Sequence, residues 1–179
     1  MQIHTPLCGA RVRIRDYYKP DLPFVTSMWF DPENGRYMSD PPADKVDERY
    51  RKSCEEMEDD HDGFYFVIEL AATGERIGSC CAFPQDENGA YDASRQCYDI
   101  GYCINKTHWR QGYGEEAVRL LMAWAKAQGT QKMTAEAAIS NNASCGLLEK
   151  LGFTVLREGS FKKYNTDIVF PSRVYARVL

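Results

Sequence analysis

The sequence predicts an α/β fold with a mixed central sheet, on three observations. Two apolar runs, Phe64 to Leu70 and Ile77 to Phe83, flank the turn Ala72-Thr73-Gly74-Glu75, which is the pattern of an antiparallel hairpin. The second half of the chain then reads strand, helix, strand, helix, strand. Between them, CYDIGYCINKTHWRQGYGEEA (residues 97–117) carries an apolar strand through a polar, glycine-bearing connection into a helix.

Taken in order, Arg11 to Arg15 alternates in strand period, with Val12 and Ile14 on one face. Asp21 to Trp29 is a short helix, with Pro23 tolerated near its start. Asp31 to Pro42 is rich in turn formers and reads as a loop. Ala43 to Asp60 is a second helix, with Val46, Tyr50 and Met57 on one side, broken at His61-Asp62-Gly63. After the hairpin, Pro84 to Arg95 is a polar loop, and Cys97 to Ile104 is the buried central strand. The next helix carries Tyr113, Ala117, Leu120, Leu121 and Trp124 on one face and stops at Gly129. Lys132 to Ile139 is a strand, Asn141 to Leu151 a helix ended by Gly152, and Phe153 to Arg157 a strand. Asn165 to Val178 supplies one or two more, interrupted at Pro171.

A chain of 179 residues with no linker or repeat is expected to form one domain, residues 1–179. Its apolar share of 44% against 27% charged is that of a globular protein. A net charge of −4 argues against a general nucleic-acid binder, which needs a basic face, and favours cationic partners. The N-terminal MQIHTPLCGARVRIR has no apolar core segment, and no run approaches the ~20 residues of a membrane span. Seven cysteines without a CxxC fit free thiols in a reducing cytoplasm rather than disulfides or zinc. His4, His61 and His108 have no metal-ligand spacing, so no metal is expected.

The chemistry concentrates at the glycine loop. Unpaired N–H groups of a helix's first turn, the helix dipole and the close approach that glycine permits together make a seat for an anion, here read as a pyrophosphate. Gly112 to Ala117 also satisfies G-x-G-x-x-A, with Glu136 near the place of the dinucleotide motif's acidic residue. The seven residues between strand and first glycine count against that nicotinamide-type reading, and no Walker phosphate loop exists.

A second motif, SNNASCGLLEKLGF (residues 140–153), follows. Together GYCIN…WRQGYGEEA and NNAS…LLEKLGF resemble the GNAT superfamily of acetyl-CoA-dependent N-acetyltransferases. They are most similar to the branch of ribosomal-protein alanine and serine N-acetyltransferases, whose relatives act on polyamines and antibiotics. That family's pattern is (Q/R)-x-x-G-x-(G/A); here Trp109 fills the first place and Gly112 and Gly114 the last two. The resemblance implies a GNAT fold that transfers acetyl from acetyl-CoA to a primary amine by direct attack.

It further implies that the main chain of Trp109, Arg110, Gln111, Gly112, Tyr113 and Gly114 holds the cofactor's pyrophosphate. Glu115 and Glu116 should then turn away. Cys103 and Ile104 would pair with the pantetheine arm, with the Ile104 N–H facing the thioester oxygen. Asp99 is the first candidate for the general base and Glu136 the second. Many relatives carry a tyrosine acid on the last helix of this unit, but Leu148 stands there. Ser144 would take that place near the sulfur, and Asn141 would bind the pantetheine amides; helix capping is the structural alternative for both. Lys150 and His108 would approach the phosphate end, with a solvated helix lysine and a plain loop residue as the respective alternatives. The acidic run Cys54 to Asp62 is either a solvated face or a rim attracting amines. The acceptor is left open between a small-molecule amine and a peptide N-terminus, and the assembly between monomer and homodimer. A non-catalytic acyl-CoA-binding module is the contrasting reading, supported by the missing helix tyrosine.

Overall fold

A computed structural model describes residues 1–86 and 88–179, and the one position of the Pro84–Arg95 loop outside them is Glu87. Eight strands form one sheet: β1 (Leu7–Cys8), β2 (Val12–Asp16), β3 (Phe64–Leu70), β4 (Arg76–Pro84), β5 (Cys97–Ile104), β6 (Lys132–Ala138), β7 (Thr154–Lys162) and β8 (Val169–Val178). Their order across the sheet is β1-β2-β3-β4-β5-β6-β8-β7, and among the described residues only β5 and β6 run parallel. Four helices complete the fold: α1 (Leu22–Trp29), α2 (Glu48–Glu56), α3 (Tyr113–Ala127) and α4 (Asn142–Lys150). Among the described residues no helix is long and apolar enough to cross a membrane.

Strand alternation sorts the core onto two faces. Val12, Ile14, Phe66, Ile68, Tyr98, Ile100, Met133 and Ala135 pack on Ala117, Val118 and Leu121 of α3 and Cys145 and Leu148 of α4. On the opposite face Tyr17 and Val67 meet Val25 of α1 and Cys54 of α2, with Trp29 and Tyr65 at the margin. α1 is anchored by charge as well. Asp21, next to its first residue, pairs with Arg15 at 2.7 Å, and Arg15 reaches Glu69 on β3 at 2.7 Å.

Three boundaries depart from the sequence reading. The stretch Ala43 to Asp60 is not one helix: 3-10 turns at Ala43–Lys45 and Met57–Asp59 bracket α2, whose start is fixed by the Asp47 side chain accepting the Tyr50 N–H. The strand expected at Phe153 to Arg157 runs on as β7 to Lys162, because β8 pairs along its whole length. Pro171 does not interrupt β8. Its carbonyl accepts from Ile139, just past the end of β6, so the N–H that proline lacks falls where no ladder partner is needed. The two-residue β1 was not foreseen.

The loop after α1 is tied down on both sides. Buried Lys163, beyond β7, donates to the carbonyls of Gly35 (2.8 Å) and Met38 (2.7 Å), and the Tyr164 N–H donates to Ser39. From the other side Asn34 reaches the end of β5, donating to the Ile104 carbonyl at 3.3 Å and accepting from the Lys106 N–H at 2.6 Å.

β4 and β5 approach closely where this loop docks. A Cβ on Gly78 would lie 2.5 Å from the Cys103 carbonyl oxygen and 3.0 Å from the Ile104 side chain. Gly78→Ala should therefore lower stability by about 1–3 kcal/mol, read as an earlier midpoint in urea or thermal unfolding. An unchanged midpoint would show that β5 can shift without loss.

Candidate active site

The site begins where β5 and β6 part. Their parallel pairing covers only Cys97↔Lys132, Tyr98↔Met133 and Asp99↔Thr134, leaving Ile100–Ile104 and Ala135–Ala138 unpaired with one another. The outer edges stay bonded, β5 to β4 as far as Ile104 and β6 to β8 as far as Ala138. The result is a fork with rigid arms. Bonds from Gln85 to Cys97 and from Asn105 to Ile77 set the alternation on the β4 side. By that alternation Ile100, Tyr102 and Ile104 turn their N–H and C=O toward the gap, while the main chain of Cys103 turns to Ser79. Of the two residues expected to line the arm of a ligand there, Ile104 faces the opening and Cys103 does not.

At the open end of β5 the glycine loop leads into α3. Arg110 (φ 62°) and Gly112 (φ 82°) both take left-handed backbone, and Gly112 is the N-cap, with no side chain bonding the first turn. A side chain at Gly112 would be strained there and would press on the Arg11 guanidinium at 3.2 Å. Gly114 is different. Its notional Cβ meets Leu147 at 3.5 Å and Ile104 at 3.6 Å, ordinary contact that alanine would satisfy.

The acidic residues of this first turn do turn aside. Glu116 accepts the N–H groups of Arg11 and Val12 and pairs with the Arg11 guanidinium at 3.0 Å; Glu115 pairs with Lys150 at 2.6 Å and Arg119 at 2.9 Å. Arg11 also donates to the Gln111 carbonyl at 2.8 Å and lies over the Tyr113 ring. Trp109, partly exposed, donates from its indole to the Ile104 carbonyl at 2.7 Å, which fixes the loop to the strand. His108 sits outside this turn, its Nδ1 2.9 Å from Thr107 and its Nε2 3.4 Å from Glu75. The first-turn N–H groups of α3, with the positive end of its dipole, carry no side-chain cap and stand where the glycine loop leaves β5.

The two faces of the fork carry different chemistry. On the α1–α2 face Asp99 sits at the apex. It accepts from the Thr134 hydroxyl at 2.7 Å, and burial pushes its carboxyl up to about 6, with nearby Glu136 adding to the rise. Glu136 itself accepts a short hydrogen bond from Ser172. Asp40, from the loop after α1, accepts from the Tyr50 hydroxyl, and burial raises its pKa as well. Cys103 lies 2.9 Å from the Asn34 amide, and burial lifts its thiol to about 12, so it stays protonated. All seven cysteines are free thiols.

On the α3–α4 face, Asn141 is the N-cap of α4, its side-chain oxygen accepting the Ser144 N–H at 3.2 Å. That oxygen is engaged in capping, as the structural alternative had it. Ser144 is not a cap; its hydroxyl lies 2.9 Å from the Tyr102 hydroxyl. Leu148 is fully buried in the core and offers no proton donor.

The sequence reading missed Tyr102, Asn34, Asp40 and Lys163. Tyr102 alternates with Ile100 and Ile104 and so read as core; the other three lie in loops whose partners are remote in sequence.

The profile of the acetyltransferase (GNAT) domain matches residues 11–154, from the first long strand to the end of the α4 motif. This chain belongs to the GNAT family. As a GNAT member it is an acyltransferase of a family that uses acetyl-CoA. It is 28% identical over 163 residues to the N-acetyltransferase p20 of Bacillus licheniformis, covering 88% of this chain and 86% of that one. To YkkB of Bacillus subtilis it is 27% identical over 176 residues, covering 97% and 98%. Among solved structures, the acetyltransferase of Salmonella typhimurium that modifies the N-terminal serine of ribosomal protein L7/L12 shares its fold at a TM-score of 0.77 and 14% identity, covering 98% and 99%. The Vibrio cholerae spermidine N-acetyltransferase, solved with CoA and spermine, does so at 0.76 and 15%, covering 95% and 96%.

The buried carboxyl at the apex of this GNAT fork has a thermodynamic consequence. A raised Asp99 pKa means the folded protein holds that proton more tightly than the unfolded chain. The group's contribution to stability is full below pH ~4 and is lost as pH rises through about 6. Asp99→Asn should accordingly be more stable than the parent above pH 6, by about 1–2 kcal/mol after allowing for partial solvent access, with the difference vanishing near pH 4. Thermal midpoints at pH 4, 6 and 8 test this; a constant or inverted difference would show that the carboxylate is not destabilised by burial.

Proposed function

We propose that the fork between β5 and β6 seats acetyl-CoA and that this enzyme acetylates a primary amine by direct attack, with Asp99 as general base. The observation that carries the reading is the placement of Asp99 at the last β5–β6 pair, one step below strand amides that face the gap. Main-chain N–H groups from Arg110 to Gly114 would hold the pyrophosphate at the start of α3, where the acidic side chains are already drawn aside. Tyr102 and Ile104 would pair with the pantetheine arm, and the Ile104 N–H would face the thioester oxygen as negative charge develops on it. Asn141 retains its side-chain NH₂ for the same arm.

The cofactor's anion seat and the carboxylates lie on opposite faces of the sheet. An amine would therefore approach from the α1–α2 face, which carries Asp99, Glu136 and Asp40. Amines have pKa values of ~8 at an N-terminus and ~10.4 on an alkyl chain, so attack needs a proton acceptor. A carboxyl at about 6 is ionised at neutral pH yet more basic than an ordinary aspartate. Three acidic groups on that face favour a cationic acceptor, a polyamine or a basic peptide end. Relatives of both kinds, one solved with spermine and one acting on a ribosomal-protein N-terminus, are consistent with this class.

Thiol release from acetyl-CoA, measured across spermidine, spermine and Ser- or Ala-initiated peptides, tests the reaction. Binding of acetyl-CoA without amine-dependent release would favour the non-catalytic module. With the best acceptor, kcat/KM should fall below pH ~6 as Asp99 takes up a proton, and Asp99→Asn should lower it roughly 10²–10⁴-fold and remove that limb. An Asp99→Asn enzyme with parental rate would assign the base elsewhere.

A further inference from the structure

The hydroxyls of Tyr102 and Ser144 meet at 2.9 Å across the α3–α4 side of the fork. Tyr102 belongs to β5, one arm; Ser144 belongs to α4, the helix that continues from β6, the other arm. Beside them Ile104 and Leu147 pack against the core. We infer that Tyr102 is a positioning residue for departure of the thiol: its hydroxyl holds the Ser144 hydroxyl so that the serine proton points to the sulfur. The inference rests on the proposed acetyl transfer at this gap.

The chemistry is that of hydrogen bonds, with no proton exchanged at either hydroxyl. The amine nitrogen forms the new N–C bond, the C–S bond breaks with its electron pair going to sulfur, and the proton lost by nitrogen goes to Asp99. The thiolate is later protonated by solvent. While it forms, it needs a donor that does not have to reorganise. A serine hydroxyl has one proton and can rotate freely. If Tyr102, the more acidic hydroxyl of the two, donates to the Ser144 oxygen, the serine proton is left to face away from Tyr102 and is polarised by it. Burial holds the phenol near 12, so Tyr102 keeps its proton throughout the pH range of turnover. This explains how a family member with Leu148 in the core can still serve the leaving group. The donor comes from α4 but is aligned from β5.

Tyr102→Phe, Ser144→Ala and the double variant of the full chain test this in the thiol-release assay, using acetyl-CoA and the best amine of the panel. Each single change should lower kcat about five- to tenfold, the worth of one hydrogen bond, while KM for acetyl-CoA stays within about twofold. The double variant should be no slower than the worse single one, since both remove the same arrangement. With the selenium analogue of acetyl-CoA, whose leaving group is more acidic, the Tyr102→Phe defect should shrink; a merely structural loss would persist. Thermal midpoints of the three variants close to the parent exclude misfolding as the cause. Parental kcat in Tyr102→Phe, or multiplying effects in the double variant, would overturn the inference while leaving the transferase reading intact. A parent protein that binds acetyl-CoA but releases no thiol with any amine would overturn both.

Discussion

The separation of β5 from β6 beyond Asp99 and Thr134 is the constraint on which the rest of the structure depends. A parallel pair is the weaker of the two ladder types, and among the described residues it is the only one in the sheet. Each strand is secured instead along its outer edge, β5 by β4 and β6 by β8, so the arms keep their geometry without pairing to each other. The Ile104 carbonyl, which could otherwise seek a partner across the gap, is occupied by Trp109 and Asn34. Backbone groups on an inner edge are then available at fixed positions, which is what recognition of an extended, amide-bearing chain requires.

That opening also divides the chemistry. One face of the fork presents the start of α3 and two hydroxyls; the other presents carboxylates with pKa values lifted by burial. The division follows from strand alternation, because Asp99 and Tyr102 stand on opposite sides of the same strand. The carboxylate face is walled by the loop after α1. Lys163 holds that loop through two carbonyls, although burial depresses its pKa, and Asp40 nearby offsets part of that effect. A loop held this firmly can place Asn34 and Asp40 as reliably as a strand would.

Much of this fold was legible in one sequence. The central strand, the glycine loop, both following helices and the first hairpin were marked by period and by glycine placement, and the structure has them where expected. The glutamates at the start of α3 were expected to turn aside, and Arg11 and Lys150 are what draw them. The misjudged boundaries have different causes. At Ala43–Asp60 a local signal was passed over, the Asp47 cap that starts α2, whereas at Pro171 the local signal was overruled by the end of β6 beside it. Within the candidate site, Asp99, Ser144, Ile104 and the loop residues were singled out because they sit in or beside motifs. Tyr102, Asn34, Asp40 and Lys163 were not, since an aromatic in a strand and polar residues in loops have many uses.

By itself the sequence determined the central strand, the first hairpin, the two helices that follow the glycine loop, and which family the pattern resembles. These are matters of local backbone freedom and hydrophobic period. Only the tertiary structure decided where β5 and β6 part, which strand amides face the gap, that Cys103 faces β4, and that Tyr102 meets Ser144. Those depend on register and on contacts between residues on different elements, 42 positions apart for Tyr102 and Ser144, and no local pattern encodes them.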